Sequence, residues 1–338
     1  MSECPMSPVK GSSTSLGDMP DDILIKLFNI TSPRDVTRVK RISKRFNKVV
    51  ETYNLGKPHV KELSIESRLA ASPPKIGRIR FGPPQKLSPK RRLIVTMKRD
   101  KGVKRVEKLD DPTCSEEGYS FVKDTMRKVV VNDRLSFEGV TIDKEFYKML
   151  TAKWNDLSNV TTVSLSFCNI TLNWSDFVHL LSKMTLKSLC LDFCTFDASL
   201  ISDKVLLSLE HLETLKIQPR THCYLNELTD RTLSFWARNG DPPKQLQMYN
   251  CATSISIDGI RTLMQSVAPT STIDWDFGLL LIDPNDSVLL SLIFSPGLQF
   301  AIADDFRSRR VKLRNDRLQL SFNMHNFSIQ QQPQPQTA

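Results

Sequence analysis

The chain has 338 residues, of which 40% are apolar and 25% are charged, and its formal net charge at pH 7 is +10. This composition is typical of a globular protein with one large or two to three small domains. Its apolar runs, such as Leu279–Ile282, are far shorter than the roughly 18 to 20 residues that a membrane span needs. The N-terminus has no apolar core of a secretory signal. We therefore expect a cytoplasmic or nuclear protein whose seven cysteines stay reduced.

Most of the positive charge lies in one segment. Between Lys75 and Lys108, thirteen Lys or Arg residues stand against two acidic residues, so the rest of the chain is nearly neutral. Residues 75–108 could bind nucleic acid or a phosphate-rich surface. The segment has only Phe81 nearby, whereas readers of single strands interleave aromatic side chains. Nucleic-acid binding through residues 75–108 is therefore the alternative function.

In chain order, residues 1–15 are rich in Ser, Pro and Gly and are predicted to be disordered. Residues 16–53 have apolar positions at helical spacing, which predicts about three short helices. Pro20 fits a first helical turn, and Ser32-Pro33-Arg34-Asp35 is typical of a helix start. Such a unit has little core of its own. Its apolar side is expected to be covered by a partner or, alternatively, by the rest of the chain.

Residues 54–112 contain prolines, glycines and lysines between short alternating stretches, which predicts a small, partly β connector. RRLIVTMKR and VKRVEKL flank Asp100-Lys101-Gly102 and indicate a hairpin. Ser88–Leu93 (SPKRRL) fits a nuclear-import or cyclin-docking signal, and Ser7, Ser72 and Ser88 precede proline as in sites of proline-directed kinases. A solvated basic connector is the favoured alternative, because such motifs arise by chance in sequences of this composition.

Residues 113–270 carry a repeat. VTTVSLSFC, LKSLCLDFC, LETLKIQPR and PKQLQMYNC end at Cys168, Cys194, Arg220 and Cys251, at spacings of 26, 26 and 31 residues. A weaker copy, DRLSFEGV, precedes them. Their apolar positions follow the pattern L-x-x-L-x-L-x-x-N/C, and a cysteine at the repeat corner is predicted to be a small buried side chain.

Amphipathic helices are predicted between these strands, over residues 174–184, 202–211, 230–239 and 258–267. One strand-helix unit cannot bury its apolar face alone, so the units are predicted to stack into a leucine-rich-repeat-like solenoid. Positions beside the strand core are candidates for target binding by geometry, and inert surface is an equal alternative. They are Ser164, Ser166, Lys187, Asp192, Lys216, Gln218, Gln245 and Gln247.

The period is predicted to end after Pro269. TIDWDFGLLLID, SVLLSLIF and the pair RRVKLR and RLQLSFNM about Asn315-Asp316 indicate strands over residues 271–329 that cap the last repeat. The tail, residues 330–338, is polar and predicted to be disordered.

Catalytic and cofactor motifs were not found in the sequence. Gly77 and Gly82 have the outer spacing of a phosphate-binding loop, but Pro83-Pro84 occupy the positions that need Lys and Ser or Thr. Cys190, Cys194, Cys223 and His222 could form a zinc set, although core packing is favoured because Cys190 and Cys194 share one strand and its corner. We expect no metal, no cofactor and no enzymatic activity.

Residues 16–53 resemble an F-box. The matching residues are Met19-Pro20, Ile23, Leu27-Phe28, Ile30, Pro33, Asp35-Val36, Val39, Ile42-Ser43, Arg45-Phe46, Val49 and Val50, with Phe46 in place of the common Trp and Arg38 at a position that is often apolar. The segments KRFNKVV and FWARNGDPPKQL resemble sequences of the nematode-expanded F-box families.

The resemblance implies an α+β or α/β protein with an N-terminal three-helix F-box and a C-terminal repeat or F-box-associated domain. It implies a substrate-recognition subunit of an SCF-type cullin-RING ubiquitin ligase, whose F-box binds a Skp-type adaptor and, through it, a cullin. The expected adaptor-binding residues are Met19, Pro20, Ile23, Leu27, Phe28, Ile30, Val36, Val39, Ile42 and Phe46.

Overall fold

The computed structural model describes residues 15–53, 55–69, 91–100, 102–110, 115–267, 271–282, 287–293, 297–304 and 308–325. The chain divides into two compact units. The helical unit comprises the chain up to Pro58 together with Lys128–Val130, and the sheet unit comprises His59–Arg127 and the chain from Val131 onwards. The predictions for both termini, for KIGRIRF and for Ser7, Ser72 and Ser88 fall outside the described residues.

The helical unit contains the predicted N-terminal helices. After a 3-10 turn at Leu16–Asp18 come α1 (Asp21–Ile30), α2 (Pro33–Val39) and α3 (Lys44–Thr52). Ser32 caps α2, because its hydroxyl accepts a hydrogen bond from the backbone N–H of Asp35 at 3.3 Å. The core is a single cluster of Leu24, Phe28, Val36, Phe46, Val49, Val50 and Leu55.

The sheet unit is built on one large mixed sheet. Along this sheet the strand order is β14-β15-β16-β13-β11-β9-β8-β6-β4-β1-β2-β3. Their bounds are β1 His59–Leu69, β2 Arg91–Arg99, β3 Gly102–Asp110, β4 Val130–Glu138, β6 Thr162–Ser166, β8 Ser188–Phe196, β9 Thr214–Pro219, β11 Gln245–Met248, β13 Ile273–Leu280, β14 Gln299–Asp304, β15 Ser308–Arg314 and β16 Leu318–His325. Short strands β5 Thr141–Ile142, β7 Asn169–Ile170, β10 Cys223–Thr229 and β12 Cys251–Ser254 lie off this path.

The six central strands are parallel and share one register. A row of buried residues crosses them, and its members are Leu135, Val163, Leu189, Leu215, Leu246 and Trp275. Side chains alternate between the two faces of a strand, so the residues next to this row form the opposite, polar face. Equivalent positions of the sequence repeats therefore pair with each other across the strands.

Helices connect the parallel strands, as the β-α-β topology requires. They are α5 Lys144–Leu150, α6 Trp174–Leu181, α7 Asp203–Leu206, α8 Asp230–Asn239 and α9 Ile257–Ser266. Two further helices lie outside this series: α4 Ser115–Met126 precedes β4, and α10 Ser287–Ile293 follows β13. The helix predicted over residues 202–211 is only the short α7, because the following Leu209 and Leu212 turn inward and are buried as the chain leads into β9. No helix among the described residues is both long enough and apolar enough to span a membrane.

Two carboxylates, the buried Asp203 and the half-buried Asp230, link successive helices. The carboxylate of Asp203 accepts hydrogen bonds from the backbone N–H of Thr229 at 3.0 Å and from the hydroxyls of Thr229 and Thr232, both at 2.6 Å. The carboxylate of Asp230 likewise accepts hydrogen bonds from the backbone N–H of Ser256 at 2.7 Å and from the Ser256 hydroxyl at 2.6 Å. The first residue of one helix thus fixes the residue that caps the next helix.

Three expectations for the sheet unit are wrong. The strands β1–β3 do not form a separate connector, because β1 pairs with β4 and so extends the large sheet. The parallel order does not end after Pro269, since β13 continues it beside β11. Within SVLLSLIF, Ser287–Ile293 forms α10 instead of a strand, and the buried Leu289 and Leu292 have helical spacing.

Two predicted hairpins are present. β2 and β3 are antiparallel and meet at Arg99 and Gly102, which has a φ of 139°. β15 and β16 are antiparallel on either side of Asn315, whose side-chain oxygen accepts a hydrogen bond from the backbone N–H of Leu318 at 2.7 Å. The last three strands do not remove the open edge of the sheet, because β14 becomes the end of the strand order.

Candidate functional site

The helical unit buries three of the ten residues expected to bind an adaptor. Phe28, Val36 and Phe46 are 2%, 0% and 5% exposed, and the rings of Phe28 and Phe46 pack edge to face with centroids 5.8 Å apart. The prediction for these three is wrong. A unit this small must use its largest apolar side chains as its own core, so they support the surface from beneath.

The other expected residues lie nearer the surface. Met19, Leu27 and Val39 pack against the core and are partly buried. Ile23, Ile30 and Ile42 are 45%, 85% and 74% exposed, and Pro20 is exposed as well. Leu16, which the sequence reasoning omitted, is 39% exposed. We call Leu16, Pro20, Ile23, Ile30 and Ile42 the exposed apolar set.

The segment that precedes α1 is held by Arg45 of α3. The Arg45 guanidinium donates to the backbone carbonyls of Gly17 and Met19, the latter at 2.6 Å, and pairs with the Asp21 carboxylate at 2.7 Å. These contacts fix the backbone on both sides of Pro20. The arginine therefore orders the part of the exposed apolar set that lies around the start of α1.

The polar face of the sheet brings together seven of the eight candidate target-binding residues. One row contains Ser164, Lys216 and Gln247, a second contains Ser166, Asp192 and Gln218, and Gln245 lies in a third. The Lys216 ammonium and the Asp192 carboxylate are 3.1 Å apart. The face is thus a polar surface whose two central charges already pair with each other.

Lys187, the eighth candidate, does not share this face. It directly precedes β8, at a position that strand alternation groups with the core-facing Leu189, and its side chain is exposed. There its ammonium lies 3.3 Å from the Glu213 carboxylate, which also pairs with Lys244 at 3.2 Å. Hydrogen bonds from Lys244 and then Lys187 hold the pKa of Glu213 below its ordinary value.

Two exposed aromatic residues, one directly after β6 and one within β8, were not predicted from the sequence. Phe167 and Phe193 are 61% and 41% exposed, and their rings stack with centroids 5.3 Å apart and planes 8° apart. Both have left-handed backbones, with φ values of 55° and 50°. The available signal was a phenylalanine directly before each of the corner residues Cys168 and Cys194.

Equivalent corners use residues that tolerate a left-handed backbone. Gly139, Asn250 and Gly278 have φ values of 65°, 56° and 67°. A side chain with a Cβ costs about 1 kcal/mol or more in this conformation, and an aromatic one is uncommon there. The left-handed backbone is therefore less favourable at Phe167 and Phe193 than at the equivalent corners.

The corner cysteines are buried thiols with carbonyl partners. Cys194 donates to the Leu165 carbonyl at 3.2 Å and Cys168 to the Phe137 carbonyl at 3.4 Å. Burial raises the pKa of Cys251 to about 12. Among the residues that the structure describes, no three His, Cys, Asp or Glu side chains are grouped as a metal site would require.

Three basic residues in the described part of segment 75–108 have acidic neighbours. Arg92 and Arg105 both pair with Glu107, at 3.3 and 2.9 Å, and Lys98 lies 3.8 Å from Glu62. These ion pairs reduce the charge that β2 and β3 present to an anionic surface.

Comparison with known families gives one match. Residues 16–58 match the family described as the F-box domain, and this range contains all three helices and the exposed apolar set. The match supports an F-box protein. F-box domains bind Skp-type adaptors and so reach a cullin, and F-box proteins are generally non-catalytic adaptors. A search of curated proteins found no match. The similarity of the remaining chain to leucine-rich-repeat or nematode-expanded families stays a prediction.

Proposed function

We propose that the chain is a substrate-recognition subunit of an SCF-type cullin-RING ubiquitin ligase. The F-box match at residues 16–58 carries this proposal. In it, the helical unit binds a Skp-type adaptor and the sheet unit binds the target protein. The chain supplies binding and no catalytic group, and it acts in the cytoplasm, the nucleus or both.

The exposed apolar set is the proposed adaptor surface. Ile23, Ile30 and Ile42 leave large apolar side chains in water, and burying one fully would contribute about 1.5–3 kcal/mol. Met19, Leu27 and Val39 extend this surface toward the core as partly buried contacts. Phe28, Val36 and Phe46 take no part except as its support.

The adaptor surface is tested by a double substitution, Pro20→Ala with Ile23→Ala. If both are interface anchors, the double variant loses roughly 2 kcal/mol or more of binding energy, which is about a 30-fold weaker affinity. Co-purification of a Skp-type adaptor with the full chain should then fail. Lys26→Ala, an exposed polar position on the same helix, is the matched control and should bind normally. Unchanged adaptor binding by the double variant would discard this surface.

The sheet unit is proposed to be a leucine-rich-repeat-like solenoid that holds the target on its polar face. Its parallel strands in one register and its repeated corners support this interpretation. The proposed contacts are the seven polar residues on the face together with Phe167 and Phe193. A stacked aromatic pair beside a polar surface is the composition that anchors many protein interfaces.

Reciprocal variants separate the two surfaces. In affinity purification of the full chain, Pro20→Ala with Ile23→Ala should lose adaptor and cullin while retaining targets. Phe167→Ala with Phe193→Ala should lose targets while retaining adaptor and cullin. If the phenylalanine variant keeps every target, the proposed target surface is wrong even though the adaptor surface stands.

A further inference from the structure

A stripe of basic side chains crosses β15 on the polar face. Arg310, Lys312 and Arg314 alternate with Val311 and Leu313, which are 0% exposed. The alternation places the three basic side chains on the opposite face from the core. We call Arg310, Lys312 and Arg314 the basic stripe.

Only one member of the basic stripe has an acidic partner in the described part of the chain. The Arg310 guanidinium lies 2.6 Å from the Asp276 carboxylate, and its Nε is a buried donor without a hydrogen-bond acceptor. Lys312 and Arg314 are exposed, and their neighbours on β16 are the uncharged Ser321 and Gln319. Two acidic residues of the same face, Asp274 and Asp276, lie two strands away on β13.

The next strand, β14, leaves room for these long side chains. Ala303 stands opposite Arg310 and Ala301 opposite Lys312, and both alanines are exposed. Because a methyl group covers little surface, Lys312 can extend across β14. On the other face of β14, Ile302 is 46% exposed. The strand therefore has a basic side and an apolar side.

β14 ends the strand order of the described sheet. A terminal strand has one row of backbone N–H and C=O groups that can pair with a further strand. An added strand would lie about 4.8 Å from β14 and about 9.6 Å from β15. Extended Lys or Arg side chains on β15 can reach toward carboxylates at that distance.

We infer that the sheet unit binds an extended segment of its target as an additional strand on β14, and that this segment alternates acidic and apolar residues. The acidic side chains face the basic stripe, and the apolar side chains continue the surface of Ile302. Backbone hydrogen bonds give affinity, and the alternation gives specificity. This inference rests on the proposed function and names the target chemistry.

The observations favour a peptide over nucleic acid. A reader of single strands places aromatic rings beside its basic residues, whereas the polar face of β14 presents alanines there. Nucleic acid would also leave the backbone groups of β14 and the apolar side of Ile302 without a role. Binding of an oligonucleotide is therefore an outcome that contradicts the inference.

The probe is a synthetic peptide in which Glu alternates with Val, titrated into the full chain by fluorescence anisotropy. The first control peptide has the same composition with all Glu residues together, and the second has Lys in place of Glu. We expect saturable binding of the alternating peptide that weakens as salt is added. Both control peptides should bind at least about tenfold more weakly.

Substitutions test the stripe itself. Lys312→Glu with Arg314→Glu should weaken the alternating peptide at least about tenfold. Ala301→Glu should also weaken binding of the alternating peptide, because the new carboxylate would pair with Lys312. Lys104→Glu with Lys183→Glu, at two exposed positions elsewhere in the sheet unit, changes the net charge equally and should leave the affinity unchanged.

The outcomes separate this inference from the proposed function. Each variant is first checked for wild-type thermal unfolding and adaptor binding. If folded Lys312→Glu with Arg314→Glu binds the peptide as wild type does, or if a single-stranded oligonucleotide displaces the peptide from the wild-type chain, the inference is overturned while adaptor binding still supports the ligase role. Failure of the wild-type chain to bind any Skp-type adaptor contradicts the proposed function instead.

Discussion

In the helical unit, Leu24, Phe28 and Val36 are at most 2% exposed, while Ile30 and Ile42 are 85% and 74% exposed. In the sheet unit, strand alternation buries one row of apolar residues after another, while Phe167 and Phe193 remain 61% and 41% exposed. The helical unit has more apolar residues than its small core can hold, so the excess is available to a partner. The sheet unit has a large core, and its exposed aromatic pair occurs where the backbone is strained.

The largest expected effect concerns the core of the sheet unit. Trp275 is fully buried, and its indole Nε1–H donates to the Pro243 carbonyl at 2.7 Å. Trp275→Ala should lower the free energy of unfolding by about 3–5 kcal/mol, because it leaves a cavity and an unpaired carbonyl. Urea denaturation of the variant and the wild type measures this difference in unfolding free energy. A loss below about 1 kcal/mol would mean that the parallel strands do not share one core.

The helical unit offers a sharper contrast between neighbours on α1. Phe28→Ala should lower the unfolding free energy of that unit by about 3–4 kcal/mol. Ile30→Ala should change it by less than about 0.5 kcal/mol and should weaken adaptor binding. Thermal unfolding and adaptor titration of both variants give the comparison. Equal destabilisation by the two variants would contradict the division into core and exposed apolar set.

A medium effect is expected at the buried carboxylate that joins successive helices. Asp203→Ala removes the acceptor for Thr229 and Thr232 and should cost about 2–3 kcal/mol of unfolding free energy. Asp258 is the control, because its exposed ion pair with Arg261 is worth about 0–1 kcal/mol. If Asp258→Ala destabilises as much as Asp203→Ala, the link between helices is not specific.

The smallest expected change in stability concerns the aromatic corner. Phe193→Asn places at this corner the residue type that Asn250 supplies at an equivalent one. Relief of backbone strain, about 1 kcal/mol, should offset the loss of ring stacking, about 0.5–1.5 kcal/mol. The unfolding free energy should therefore stay within about 1 kcal/mol of wild type while target capture falls. A large loss of stability would show that the rings serve the fold.

Periodicity predicted much of this structure, and burial explains the rest. The helices of residues 16–53 and the strands with Leu189 and Leu215 follow directly from apolar spacing. Spacing does not distinguish a core residue such as Phe28 from a surface residue such as Ile30, because both are apolar residues on one short helix. Exposure depends on which side chains the other helices cover, and this is a tertiary property.

The sequence pattern also gave a wrong prediction where a strand and a buried helix have the same apolar pattern. SVLLSLIF is short and mostly apolar, so a strand and a buried helix are indistinguishable from its sequence. The stacking of Phe167 on Phe193 depends on a backbone turn and on pairing between strands 26 residues apart, which no single segment encodes. The open side of β14 is likewise set by the order of strands in the sheet, which the sequence pattern does not specify.

The central claim is that the helical unit binds a Skp-type adaptor through its exposed apolar set. Isothermal titration of a purified Skp-type adaptor into the full chain tests it most directly. We expect saturable one-to-one binding that is lost in Ile23→Ala with Ile30→Ala and kept in Lys26→Ala. Absence of heat and of complex formation with the folded wild-type chain, or equal binding by all three proteins, would contradict it.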